Sequence, residues 1–174
     1  MGPGTGSGTD FDSFAVTAWP RLRWAAYLLS GDHQLAEDLA QTALVRTYAA
    51  WGRVRRDDAL AYSRRVLVNL NIDRLRRRRV VEVGVDRLPE EPTGPDGTAS
   101  TDQRDQLLRL LSTLTERERQ VVVLRHYFDL SEAAVAAELG IAPGTVKSTL
   151  SRALQKLRVS ALAIDALETT KGQP

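Results

Sequence analysis

The chain has 174 residues, 43% of them hydrophobic and 26% charged, enough for a globular core and atypical of a mainly disordered polymer. It contains no cysteine and two histidines, His33 and His126, which excludes a disulfide scaffold, a thiolate zinc site and a cysteine nucleophile, and leaves no third imidazole to complete a metal site. No uncharged run exceeds nine residues, far short of the roughly 18 apolar residues of a membrane span. Residues 1–9 are Gly-rich and uncharged, without the basic start or apolar core of a signal peptide. A soluble cytoplasmic protein without membrane insertion or cofactor is expected.

The net charge of +2 hides a segregation. Residues 11–80 carry 13 arginines against 7 acids, residues 81–102 one arginine against 6 acids, and residues 103–174 10 basic groups against 8 acids. The acidic stretch also holds Pro89, Pro92, Pro95, Gly84, Gly94 and Gly97, and no apolar period crosses it. The pattern predicts an all-α chain: an unstructured N-terminus (1–10), a helical domain (11–80), a flexible acidic linker (81–102), a second helical domain (103–167) and a short tail (168–174). Domains this small are marginal alone, so a partner holding both fits the arrangement.

In chain order, the first helix is expected from Asp12 to Leu29, interrupted or kinked near Trp19 and Pro20, because proline lacks the amide donor and crowds the preceding turn. Gly31 punctuates it, and Asp32 caps the next helix. That helix runs to about Trp51, with Leu35, Leu39, Ala43, Thr47 and Trp51 in one row at i+4 spacing. After a basic loop at 52–56, Asp57 or Asp58 caps a long helix to about Arg79, with Leu60, Leu67 and Leu70 inward. In the second domain Leu107, Leu111 and Leu114 mark a helix over 102–114. Thr115 and Glu118 form a capping box for a helix to about Tyr127. Ser131 caps a short helix ending at Gly140. Pro143 opens the last one, whose stripe is Val146, Leu150, Leu154, Leu157, Ala161 and Ile164.

Two features point to nucleic acid. Residues 131–158 have the layout of a helix-turn-helix, whose second helix enters the major groove. With Val146, Leu150 and Leu154 inward, Gly144, Thr145, Lys147, Ser148, Ser151 and Arg152 lie outward near its start, where they meet base edges and phosphates. The helix dipole at Gly144 and Thr145 adds an attraction for phosphate. An ordinary helical hairpin is the plainer alternative, and the basic outward face counts against it. The second feature is the cluster Arg74, Arg76, Arg77, Arg78 and Arg79, five arginines within six positions. Such a cluster needs anions, and one or two arginines would suffice to complement a helix dipole. Arg55 and Arg56 in the loop, and Arg64, Arg65, Asn69 and Asn71 on the preceding turns, extend the surface.

Aromatic residues are sparse. Trp51 and Tyr62 flank the basic loop, where they are placed to stack on unpaired bases, although Trp51 also ends an apolar row and belongs more naturally in the core with Trp19 and Trp24. His33 and His126 read as structural or solvated. There is no phosphate-binding glycine loop, nucleophile elbow or zinc-protease motif, and Glu37 and Asp38 point about 100° apart on a helix. No enzyme of its own is expected.

These motifs in this order resemble an extracytoplasmic-function (ECF) sigma factor of bacterial RNA polymerase, the actinobacterial type most. Phe11-Asp12-Ser13-Phe14, Trp19-Pro20-Arg21-Leu22, Ala36-Glu37-Asp38-Leu39-Ala40-Gln41, Tyr62-Ser63-Arg64-Arg65 and Asp73-Arg74-Leu75-Arg76-Arg77 match sigma region two. Leu114-Thr115-Glu116-Arg117-Glu118, Leu139-Gly140-Ile141-Ala142-Pro143-Gly144-Thr145-Val146-Lys147-Ser148 and Ser151-Arg152-Ala153 match region four. The resemblance implies that Asp38, Gln41, Leu44 and Arg46 lie at or near the contact with the clamp helices of the polymerase largest subunit. It implies that the loop at 52–58 and the helix beyond hold the −10 promoter element through Arg55, Arg56, Arg64, Arg65, Asn69, Arg74, Arg76, Arg77 and Arg78. The last helix would read the −35 element, with region four on the polymerase flap, and the acidic linker would thread the polymerase channels. Neutralising Glu90, Glu91 and Asp96 is then expected to weaken initiation. The family's common regulatory partner, an anti-sigma protein, would cover both domains. Where the family often has a capping side chain before Pro143, this sequence has Ala142.

Three other readings stand beside it. A stand-alone helix-turn-helix regulator would need a dimer surface and leaves the arginine-rich first domain unexplained. A nuclease lacks its metal constellation. An adaptor that binds polymerase or sigma without DNA conflicts with two basic faces.

Overall fold

The computed structural model describes residues 6–82 and 101–171, with side chains over 8–80 and 103–163. Among the described residues there are seven α-helices and no strand, in two compact units, Met1–Thr93 and Gly94–Pro174. Most of the acidic linker, residues 83–100, lies outside the described residues.

The first unit contains α1 (Gly6–Ser30), α2 (His33–Ala49) and α3 (Ala59–Glu82), with each helix packed on the other two. Helix α1 starts before Asp12, so residues 6–10 are helical rather than unstructured. It also runs unbroken through Pro20, so of the expected interruption or kink the interruption does not occur. The carbonyl deprived of a partner there belongs to Val16, which is 77% exposed, so water can take the place of the missing amide. Gly31 adopts φ 72°, and Asp32 caps α2 by accepting from the Leu35 amide at 2.8 Å.

Small residues let these helices approach. Ala25, Ala26, Ala40, Ala43 and Ala59 are fully buried, with Leu22, Leu67 and Val68 filling between them. Leu39, Ala43, Thr47 and Trp51 are buried as the row predicts, while Leu35, Leu60 and Leu70 are only half-buried, as are Trp19 and Trp24. Thr47 and Ser63 meet in this core at 3.0 Å, each also bonded to the carbonyl one turn back, at Ala43 and Ala59. Two hydroxyl protons serve three contacts, so the pair shares them across the α2–α3 interface. Neither Asp57 nor Asp58 forms the expected isolated cap. Both sit in a 3-10 turn, Arg56–Asp58, that leads straight into α3, and Asp58 stands 3.9 Å from Arg55.

The second unit contains α4 (Thr101–Ser112), α5 (Glu116–Val122), α6 (Glu132–Leu139) and α7 (Pro143–Lys171), with α4, α5 and α6 each against α7. The capping box forms: Glu118 N–H donates to Thr115 Oγ1 at 3.3 Å, and Thr115 N–H donates to Glu118 Oε2 at 2.9 Å. The helix it opens does not stay α to Tyr127 but widens to a π turn over Val123–Tyr127. Asp129 then takes φ 53°, a left-handed conformation that aspartate tolerates better than most residues. Ser131 caps α6 through the Ala134 amide at 3.1 Å. Helix α7 extends to Lys171, into the expected tail.

Candidate nucleic-acid interface

The helix-turn-helix is built from α6, a three-residue turn and the start of α7. Gly140 closes α6 at φ 63°, and Ile141 N–H donates to Ala136 carbonyl at 3.0 Å, so the chain reverses without exposing that carbonyl. At the start of α7, the amides of Thr145 and Val146 both donate to the Ala142 carbonyl, at 2.9 and 3.2 Å. The backbone thus supplies the closure that Ala142 lacks a side chain to make. Pro143 has no N–H, so among the first three helical residues Gly144 keeps its amide for an anion.

Val146, Thr149 and Ala153 are buried in α7, while Leu150, Leu154 and Leu157 are half-buried. The buried stripe is therefore rotated toward Thr149, which an apolar pattern passes over. Gly144, Thr145, Lys147, Ser148, Ser151 and Arg152 are all exposed, as predicted. Arg152 lies back along the helix, its Nε donating to Ser148 carbonyl at 3.3 Å and its Nη2 to Thr149 Oγ1 at 3.5 Å. Lys147 makes no ion pair among the described residues. No acidic residue occurs between Pro143 and Arg158, so this face is positive throughout.

Helix α7 is fastened behind that face by Lys156, whose Nζ donates to Glu118 Oε2 at 2.8 Å. The Glu118 side chain is 8% exposed. Its carboxyl is held below the usual glutamate range, by the Lys156 hydrogen bond first and the Thr115 bonds after it, against the opposing effect of burial.

In the first unit the predicted basic residues divide between faces. At about 100° per residue, Arg65, Asn69 and Arg76 fall on one side of α3, opposite the buried Ser63, Leu67 and Asn71, and all three are exposed. Arg64 is half-buried and points elsewhere, as is Arg74, whose Nη2 donates to Asn71 Oδ1 at 3.3 Å. Asn71 itself is 1% exposed, so the reading of it as a base contact is corrected: it belongs to the interior. Arg77 and Arg78 are exposed in the last turns of α3, at different angles around its axis. The arginine cluster is thus a fan, with Arg76 alone aligned with Arg65 and Asn69.

Beside that face lies an open cavity of about 470 Å³, lined by Arg53, Val54, Arg55, Asp58, Tyr62 and Arg65 together with Ala50. Three guanidinium groups around one half-buried tyrosine suit a flat, anionic-backboned ligand. The exposed Arg53 was missing from the predicted set. Its signal was its place in the basic loop. Trp51 is 3% exposed and so belongs to the core rather than to this cavity. Arg55 is exposed beside it, whereas Arg56 is engaged within the unit, donating to Asp10 and to the Trp51 carbonyl.

On α2, Asp38 and Gln41 are exposed on the side opposite the core, and Leu44 lies half-buried at its margin. Arg46 is exposed but on a different side, about 80° from Asp38. The same outer face carries Val45 and Tyr48, 62% and 58% exposed, which the polar motif did not bring to notice.

Both units match known families: sigma-70 region 2 over residues 7–80 and sigma-70 region 4 over residues 104–157. The RNA polymerase sigma-E factor of Streptomyces coelicolor is 41% identical over 158 residues, covering 90% of this chain and 88% of that protein. The ECF RNA polymerase sigma factor SigL of Mycobacterium tuberculosis is 34% identical over 160 residues, covering 86% and 85%. The chain belongs to the ECF sigma-factor family. Its function is accordingly that of a promoter-recognising sigma factor of RNA polymerase, and a stand-alone regulator, which would leave the region 2 match idle, is not favoured. Among solved structures, the sigma factor RpoE of Bartonella quintana, in complex with the anti-sigma factor NepR, aligns with a TM-score of 0.69 and 30% identity, covering 86% of this chain and 94% of that one. Among the described residues no helix is long and apolar enough to cross a membrane.

Proposed function

We propose that this sigma factor divides promoter recognition between its two units, and that the carrying observation is the acid-free, outward face at the start of α7. There Lys147 and Arg152 reach phosphates or guanine edges, the Gly144 amide donates to a phosphate oxygen, and Thr145, Ser148 and Ser151 are short enough to admit the major groove of the −35 element. In the first unit Arg65, Asn69 and Arg76 track the −10 strand, with Arg55, Arg64, Arg74, Arg77 and Arg78 adding positive potential around it. The cavity at Tyr62 receives an unstacked base of that strand, which assists opening.

The outer face of α2 docks on the clamp helices of the polymerase largest subunit. Asp38 and Gln41 supply polar contacts, while Leu44, Val45 and Tyr48 supply the apolar centre that a stable interface needs, with Arg46 at its edge. Region four rests on the flap. An anti-sigma protein is the expected regulator, because two small units offer it separate surfaces to cover. The protein contributes recognition in the cytoplasm, and the polymerase supplies the chemistry.

The test is transcription by purified core polymerase on a library of upstream sequences, with and without this protein. Discrete new start sites sharing −35 and −10 elements are expected. No binding to core would overturn the proposal.

A further inference from the structure

The loop between α2 and α3 has little to hold it. Its amides at Arg53 and Val54 both return to the Ala50 carbonyl, at 2.8 and 3.1 Å, and Asp58 N–H reaches Arg55 carbonyl at 3.0 Å. At its centre Arg56 makes three further contacts. Its Nε donates to Asp10 Oδ2 at 2.6 Å, its Nη1 donates to Trp51 carbonyl at 3.0 Å, and its guanidinium carbon sits 4.1 Å from the centre of the Trp51 ring. The Trp51 ring is edge-on to Phe11 at 5.0 Å and tilted on Phe14 at 5.1 Å, while its buried indole N–H has no hydrogen-bond partner. The indole is therefore oriented by its faces, and Arg56 covers one of them.

We propose that Asp10 and Arg56 form a latch from the first turns of α1 to the 52–58 loop, and that this latch sets base discrimination at the cavity where Arg53, Arg55 and Tyr62 meet the −10 strand. The inference rests on the reading of that cavity given above. Arg56 is then a positioning residue: two of its nitrogens are engaged inside the unit, while its neighbour Arg55 lines the cavity. Asp10, in the first turns of α1, becomes part of −10 specificity without touching DNA.

The test uses holoenzyme assembled with core polymerase and single-stranded DNA carrying a randomised −10 hexamer. The affinity ratio between the selected hexamer and its single-base variants is measured for wild type, Asp10→Asn, Arg56→Ala and the double variant. Asp10→Asn keeps the side-chain shape, so the fold is preserved. Each single variant is expected to reduce the ratio roughly fivefold, the scale of one partly exposed ion pair with a cation–π contact, and the double variant no further. Amide exchange at 53–55 should quicken in all three, with the salt dependence of binding unchanged. If Asp10→Asn leaves the ratio intact while Arg56→Ala flattens the salt slope by about 0.7, Arg56 is a phosphate contact and the latch is wrong. If wild type itself shows no base preference, the reading of the cavity fails and the inference with it. A general loss of stability would lower all affinities together and leave the ratio in place, which also refutes it.

Discussion

Replacing Glu118 by alanine removes two fastenings at once. One is the reciprocal bond of the capping box with Thr115, and the other is the 2.8 Å contact that ties α5 to Lys156 on α7. Loss of a helix cap costs about 1 kcal/mol, and loss of a charged hydrogen bond 1.5–3 kcal/mol, so with Lys156 45% exposed to solvent the sum is about 2 kcal/mol. For a unit of this size that lowers the melting midpoint by about 10 °C. The three tryptophans, Trp19, Trp24 and Trp51, all lie in the first unit. Tryptophan fluorescence therefore reports that unit alone, while far-ultraviolet circular dichroism reports both. The expected result is an early circular-dichroism transition in the variant with the fluorescence transition unmoved. The pH dependence has a definite sign. Because the folded carboxyl titrates below its ordinary value, its stabilisation is complete above about pH 4.3 and is lost as pH falls through the depressed folded value. The gap between wild type and Glu118→Gln should therefore be wide at pH 6 and narrow progressively as the pH falls below about 4.3. A midpoint shift under about 3 °C at neutral pH, or a gap that widens with acid, would refute the reasoning.

The double substitution Lys147→Ala with Arg152→Ala should weaken −35 duplex binding by holoenzyme and reduce the slope of log affinity against log salt by about 2, one unit per lost phosphate contact. An unchanged slope would move those side chains off the DNA. Val45→Asp should reduce affinity for core polymerase about tenfold, since a carboxylate would be desolvated without a partner; as Val45 is 62% exposed, the melting midpoint should stay put. Gly140→Ala should destabilise the second unit by about 1 kcal/mol through its φ of 63° alone, because open space surrounds the added methyl, and Gly140→Asn should recover part of the loss in thermal unfolding.

The helical architecture was legible because its signals are local. Asp32, Thr115, Ser131 and Gly140 each mark a helix end through a bond to a residue at most four positions away. Pro20 does not break α1 for a reason of placement: the cost of a helical proline depends on whether the abandoned carbonyl meets solvent, and that depends on how α1 packs. Asn71 misled for a reason of placement too. An asparagine among arginines on a basic helix suits DNA readout, but Asn71 lies two positions, about 200°, around α3 from Asn69, so the packing of α3 on α1 and α2 carries it into the core and leaves Asn69 outside.

The −35 face was more legible than the −10 surface, and the difference lies in how each is held together. The six outward positions of α7 follow from one helix whose inner stripe is apolar, so a single period determines them. Thr149 disturbs the period without changing the outcome, since burying it rotates the stripe slightly and keeps Lys147 and Arg152 outside. The −10 surface has no such period. Its loop conformation depends on Arg56 meeting Asp10, 46 positions away, and on Trp51 packing against Phe11 and Phe14. A count of arginines places Arg55 and Arg56 together as equivalent phosphate ligands. Only the distant carboxylate and the indole face separate them, because they tie down one half-exposed guanidinium and leave the adjacent one at the rim of the cavity.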